Sequence, residues 1–226
     1  SGGCVRACPE KALGLVAGRA TLVSPAACIG HGACEASCPV QAITLVFGSE
    51  RRGVDIPRVD PHFETNVRGV FIAGELGGMG LIRKASEQGR QAIRTIASRP
   101  RSAAALDVMI VGAGPAGISA GLAAIDAKLR YRVIEQEPDL GGSVLHYPRH
   151  KIAMTQPVEL PIVGTMRFTE VSKEALLAFW RRIVGGTGLQ VHFSERFEKL
   201  ERTGDGFRVV TDRGTNQRAG LVEVHD

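Results

Sequence analysis

The chain has 226 residues, 44% of them hydrophobic and 23% charged: enough apolar material for one large domain or two small ones, and too much for a disordered segment. Lys and Arg total 28 against 23 for Asp and Glu, and the net +5 is spread along the chain; with two Tyr and one Trp there is no basic surface with stacking aromatics, so no nucleic acid is expected as partner. No uninterrupted apolar run approaches the roughly 20 residues of a membrane helix and nothing at the start resembles a signal peptide, so a cytoplasmic location with no membrane span is expected.

The chain opens at Ser1 in the middle of a motif and reads as lacking its N-terminal part. All five cysteines, Cys4, Cys8, Cys28, Cys34 and Cys38, fall in the first 38 residues. An odd number at C-x3-C-P spacing points away from a secreted disulfide framework and toward metal ligation in a reducing compartment. CVRACPEKALGLV (4–16) and CEASCPVQAITLV (34–46) repeat at an offset of 30, pairing Cys4 with Cys34, Cys8 with Cys38, Pro9 with Pro39 and Ala12 with Ala42. In each copy an apolar segment, ending in Leu15-Val16 or Leu45-Val46, is expected to fold over a metal centre. Neither unit has enough core to be stable alone, so the centre itself has to stabilise the fold.

The run CIGHGACEASCP (28–39) keeps Cys28, Cys34, Cys38 and Pro39 of the pattern C-x2-C-x2-C-x3-C-P in register, with His31 at the second cysteine position. On these residues the segment 1–47 resembles the bacterial two-cluster ferredoxins, and a small α+β ferredoxin-like domain is expected. In that family the last cysteine of each run ligates the other run's cluster. The resemblance therefore implies one cluster on Cys28, Cys34 and Cys8 with position 31 as fourth corner, and a second on Cys4 and Cys38 plus two upstream ligands. Ser1 stands in place of one upstream ligand, so the cysteines of this chain cannot complete the second [4Fe-4S] cluster. Either His31 binds iron, replacing an anionic thiolate and raising the cluster's potential, or it stands beside a [3Fe-4S] cluster or an open iron corner. Structural zinc is a further alternative, since thiolate and imidazole also suit that ion.

Within 48–97, the stretch TNVRGVFIAGELGGMGLIRKASEQGRQAIRTIA (65–97) predicts a strand at 69–73, a loop rich in glycine (Gly74, Gly77, Gly78, Gly80) and a helix over about 80–97. A linker follows at 98–106. From Leu106, DVMIV leads into Gly112, Gly114 and Gly117, an alanine-rich helix, and the strand YRVIE ending at Glu135, which is the order of a dinucleotide-binding βαβ unit. Gly112 makes the tight turn, Gly114 lets backbone approach a pyrophosphate, and Gly117 lets helix pack on strand. Glu135 can accept hydrogen bonds from ribose hydroxyls. SKEALLAFWRRIV (172–184) is an amphipathic helix with Ser172 as N-cap and with Phe179 and Trp180 as core. FEKLERTGDGFRVVTDRG (197–214) is a hairpin turning at Gly204, Asp205 and Gly206. His146 and Tyr147 fall where the chain either passes near a cofactor or forms an ordinary loop.

The pair Gly141-Gly142 soon after Glu135 resembles the flavoprotein disulfide-reductase superfamily, thioredoxin-reductase-like branch. This implies a Rossmann-like FAD-binding domain over 107–226, a parallel sheet with an inserted antiparallel meander, holding FAD through Gly112, Gly114, Pro115, Ala116, Gly117, Glu135, Gln136, Gly141 and Gly142. The stretch 65–97 resembles the segment that ends such domains, with Gly74 and Glu75 at the flavin and Glu75 in place of an Asp. Here it precedes the fingerprint. Either it closes an earlier domain, or it completes the downstream site in permuted order through a crossover from strand 69–73 to strand 107–111. That superfamily's redox C-x-x-C has no counterpart in the flavin module, which contains no cysteine, so that module is not expected to carry out dithiol exchange with its own residues. No second G-x-G-x-x-G occurs, the FAD domain reads as truncated at its C-terminus, and NAD(P)H as co-substrate rests on resemblance.

The expected protein is an FAD-dependent NAD(P)H oxidoreductase passing electrons through FAD and one or two clusters to one-electron carriers, with no assigned catalytic acid or base. A thioredoxin-reductase-like flavoenzyme with a vestigial cluster domain and a non-catalytic electron-transfer module are the alternatives. The expected partner is a redox protein or a small-molecule acceptor, and a homodimer is left open.

Overall fold

A computed structural model describes residues 2–30, 32–44, 57–77, 80–101, 105–204, 206–216 and 220–225. Ser1, His31, Leu45, Val46, Gly78, linker residues 102–104 and Asp205, on which parts of the sequence reading fall, lie outside the described residues.

The cysteine-rich segment forms α1 (Gly3–Ala7), an antiparallel hairpin of β1 (Leu13–Val16) and β2 (Arg19–Leu22), and α2 (Ala33–Ala36). Its sequence repeat is also a repeat of backbone conformation. Both helices start from a left-handed glycine, Gly2 (φ 68°) and Gly32 (φ 74°). Both C-P turns place a non-glycine residue at positive φ, Lys11 at 51° and Gln41 at 50°, and each of these N–H groups donates to the cysteine carbonyl three residues back at 3.2 Å. The expected apolar cover differs. Ala12 is buried (1% exposed), whereas Leu15 and Val16 are 55% and 52% exposed. Adjacent strand residues face opposite ways and burial fades along β1 as the ribbon leaves the module, so these two side chains do not close over Cys8.

The rest of the chain is built on one parallel sheet. Its early elements are β3 (Val70–Gly74), α3 (Ile82–Ala97), β4 (Val108–Val111), α4 (Pro115–Asp126) and β5 (Tyr131–Ile134). Two small antiparallel pairs follow, β6 (Ile152–Met154) with β9 (Glu170–Ser172) and β7 (Val158–Leu160) with β8 (Gly164–Met166). Then come α5 (Lys173–Thr187), β10 (Val191–His192), an antiparallel meander of β11 (Phe197–Thr203), β12 (Gly206–Thr211) and β13 (Gly214–Asn216), and β14 (Gly220–His225). The sheet order is β10-β5-β4-β14-β3, all parallel.

Strand 70–74 therefore lies in the same sheet as the fingerprint strand, with β14 between them rather than as direct neighbours. Sequence reading missed β14. Every residue of β3 and β4 is buried, as parallel strands covered on both faces require. α4 is buried continuously from Pro115 to Ala124 because it is apolar all round and packed between the sheet and neighbouring helices. Ser172 caps α5, its Oγ accepting from the Ala175 N–H at 3.2 Å, and Trp180 is fully buried against Phe179.

Three carboxylates brace this framework. Arg99 holds the Glu64 carboxyl below the usual range, and Arg130 does the same for Asp107. Burial pushes the Glu195 carboxyl up, but its hydrogen bonds from Arg132 and Thr211, with Arg132's charge, bring it net down. A depressed folded-state pKa contributes stability that is present above the unfolded value, about 3.9 for Asp and 4.3 for Glu, and is lost as pH falls through the folded value. Thermal melts should therefore be flat with respect to these groups from neutral pH down to about 4.5 and fall progressively below it. A melting temperature unchanged at pH 3 would show that the three pairs contribute nothing.

Candidate functional site

In a parallel sheet all strands end at one edge, and here that edge carries Gly74-Glu75, Gly112 and Glu135. The chain leaves β4 toward β5 on one side, while β14 and β3 lie on the other, so the turn after β4 sits at the point where the strand order reverses. Ligands of open α/β sheets bind in the crevice at such a point.

The turn is compact. Gly112 has φ 98°, and a Cβ on Gly117 would lie 2.0 Å from the Gly112 carbonyl oxygen. Gly114 is the N-cap of α4 with no side-chain cap, Pro115 follows, and the first turn holds no acidic residue, which suits the helix start to an anionic group. Glu135 is 5% exposed; its Oε2 accepts from the Ala113 N–H at 2.6 Å and its Oε1 from the Glu137 N–H at 2.8 Å. The acid thus fixes the glycine turn from below, a role its position alone did not suggest. A carboxylate has about four lone-pair sites, so two remain for hydroxyl donors. The Gly141 N–H donates to Ala113 O at 2.9 Å, drawing the Gly141-Gly142 segment onto the same turn.

Two cavities run along this edge and share Ser143. One, of about 220 Å³, is lined by Gly112, Glu135, Gln136 and Gly142 among others; the second brings Glu75, Gly80 and Ile82 opposite Pro115 and Tyr147. The structure therefore packs the 65–97 segment against the fingerprint at this edge, with a gap of about 10 Å³ between them. His146 lines the first cavity. The helix α3 starts at Ile82 and, among the described residues, has no side-chain cap and no first-turn acid. A larger cavity of about 360 Å³ lies at the opposite edge of the sheet, beside Arg68, Arg99 and Asp107. It contains none of the motif residues, and Arg99 there is tied to Glu64.

In the cysteine module all five thiols are free. The Ala12 N–H donates to Cys8 Sγ at 3.3 Å and the Ala42 N–H to Cys38 Sγ at 3.2 Å, the same bond in both repeats. At Cys38 this amide, with those of Val40, Ile43 and Gln41, pulls the thiol below its ordinary value. Burial pushes the Cys34 thiol up, and the nearby Cys28 and Cys8 sulfurs add to it against opposing amide donors. Cys34, Cys28 and Cys8 are thus electrostatic neighbours. Among the described residues no three Cys, His, Asp or Glu side chains close on a point as a single metal ion requires. A polynuclear cluster interposes iron and sulfide and holds its thiolates farther apart. The repeated amide-to-sulfur bonds fit such a cluster, because N–H donors offset the charge on ligating sulfur.

An α/β chain of the FAD-binding, Rossmann-like oxidoreductase type, preceded by a ferredoxin-like iron–sulfur module, is what this fold and these residues define. Residues 109–222, half of the chain, match the pyridine nucleotide-disulphide oxidoreductase family, and the chain belongs to it. Residues 1–39 match the 4Fe-4S dicluster domain. The chain is similar to a ferredoxin–NADP reductase of Thermus thermophilus, 33% identical over 119 residues, or 52% of this chain and 32% of that protein. It therefore spans about a third of the curated relative it matches. It is similar also to the bacillithiol disulfide reductase of Staphylococcus aureus (18% identity, TM-score 0.49, covering 54% of this chain and 38% of that one). The Bacillus cereus counterpart gives 25% identity and TM-score 0.46, covering 53% and 39%. Among the described residues no helix is long and apolar enough to cross a membrane.

Proposed function

We propose that this chain passes electrons between NAD(P)H and a one-electron carrier, with FAD in the crevice and iron–sulfur clusters in the cysteine module. The observation that carries the reading is that the 65–97 segment and the fingerprint meet at the edge of one parallel sheet, with Glu75 and Ile82 beside Pro115. Gly112, Gly114, Pro115, Ala116 and Gly117 would cradle the pyrophosphate. Glu135 and Gln136 would bind the adenosine ribose, and Gly141 and Gly142 would close over it. Gly74 and Glu75, with the N-terminus of α3, would face the flavin's ribityl chain and ring, so that 65–97 would complete the downstream site in permuted order. Cys8, Cys28 and Cys34 would hold one cluster, with His31 as fourth ligand or an open corner, while Cys4 and Cys38 serve the second.

Bound FAD exchanges electrons in pairs or singly and a cluster exchanges them one at a time, which suits one chain to join a hydride donor to a one-electron acceptor. The protein's part is to bind both groups, fix their separation and exclude water. The Thermus relative, named for ferredoxin and NADP, supports this choice of donor and acceptor.

The test is oxygen-free purification of the intact protein, with flavin, iron and sulfide counted per chain and EPR of the reduced form. One flavin with at least one cluster per chain is the expected result. Flavin without iron points to a flavoenzyme with a vestigial cluster domain, and iron without flavin to an electron-transfer module; either overturns the proposal.

A further inference from the structure

One side chain bonds both to the cysteine module and to the strand end at the flavin edge. Gln88, on α3, is 2% exposed. Its Oε1 accepts from the Gly74 N–H at 2.8 Å, and its Nε2 donates to the Ile29 carbonyl at 2.7 Å. Gly74 ends β3 and precedes Glu75; Ile29 follows Cys28 and is itself 1% exposed, within the core cluster that contains Phe71 and Ile93. A single buried carboxamide thus reaches the neighbour of a cysteine at one end and the neighbour of the crevice acid at the other.

The polarity of this link is fixed. A backbone N–H can only donate and a carbonyl only accept, so the amide orientation follows from its partners. An apolar side chain of similar length would leave both backbone groups buried and unpaired, and a carboxylate would set an oxygen against the Ile29 carbonyl. Of the twenty side chains, glutamine combines this reach with one donor and one acceptor at its tip. Gln91 adds a weaker tie, its Nε2 3.4 Å from Glu10 Oε1 in the first Cys-Pro turn.

We propose that Gln88 is the positioning residue that holds the iron–sulfur module at a set distance from the flavin edge; its effect on electron passage rests on the proposed function, its effect on docking does not. Gln88→Glu keeps the acceptor for Gly74 and, once ionised at alkaline pH, has no donor for Ile29, whereas its protonated form can restore that bond; exchange is therefore compared across pH. Gln88→Met removes both and keeps the volume.

Hydrogen exchange of the intact protein should show peptides covering 28–38 exchanging about tenfold faster in Gln88→Glu, with 108–134 unchanged, and the Gly74 amide released as well in Gln88→Met. In anaerobic samples containing flavin and iron, photoreduced flavin loses one electron and an oxidised cluster gains it. That step should slow about tenfold in both variants at unchanged iron and flavin content. Unchanged exchange at 28–38 in both variants overturns the proposal, as does loosening that spreads equally through 108–134, which would mark Gln88 as ordinary core. Loosening at 28–38 with an unchanged transfer step overturns the positioning role. Should the wild-type protein lack flavin or iron, the functional reading fails while the exchange measurement still decides the docking.

Discussion

A Gly117→Ala protein is expected to lose flavin on purification and to melt about 6–12 °C below wild type. The added Cβ would lie 2.0 Å from the Gly112 carbonyl oxygen and 2.9 Å from its carbon. Both are backbone atoms of a turn pinned by the Glu135 carboxylate and the Gly112-to-Ile134 hydrogen bond, so neither can yield cheaply. Forcing the turn apart costs about 3 kcal/mol, at the upper end of overpacking penalties. It also displaces the start of α4 at the crevice. Flavin absorbance and scanning calorimetry check the two effects together, and a variant that keeps both would show that the turn does not have the tight geometry described.

Gly89→Ala gives the second large effect, and its sign is diagnostic. In an exposed helix this change stabilises by about 1 kcal/mol, because glycine is a poor helix former. Here a Cβ on Gly89 would meet Ala116 O at 2.2 Å and Ala116 C at 2.9 Å, since α3 and α4 cross backbone to backbone at that point. Ser86 Oγ marks the same crossing, 3.4 Å from Pro115 O. The expected outcome is net destabilisation of about 2–3 kcal/mol, with flavin retention weakened because Ile82 and Ala85 leave the crevice wall opposite Pro115. A thermal melt shifted upward would mean that the helix of the 65–97 segment is not packed on the fingerprint helix.

The fingerprint was the most legible part of the chain because its chemistry is local. A strand, three glycines with separate steric duties, a small-residue helix and a terminal acid each leave a mark within thirty residues, and the structure places them at β4, α4, β5 and Glu135. The cysteine repeat was legible for the same reason, and the structure adds the matching turns at Lys11 and Gln41, which the sequence did not announce. What was not legible depends on long-range partners. Nothing in residues 220–225 says that the strand inserts between β3 and β4, since parallel pairing has no turn to announce it. Periodicity marks polar helix residues as outward, so it gives no sign that Gln88 is buried between two backbone partners. Gly89 beside it was a usable signal, because a glycine in a helix interior suggests close approach by another backbone. Leu15 and Val16 misled because they sit at the outer end of β1, where burial fades as the hairpin leaves the module.

The central claim is that flavin and iron–sulfur centre in this protein exchange electrons. It is tested most directly by mixing the oxidised, anaerobic holoprotein with NADPH or NADH in a stopped-flow spectrometer and following flavin and cluster absorbance separately. The account predicts flavin bleaching first, then cluster reduction in the same molecule at a rate independent of protein concentration. A flavin that reduces fully while the cluster stays oxidised, or a cluster that reduces only in proportion to protein concentration, would contradict it.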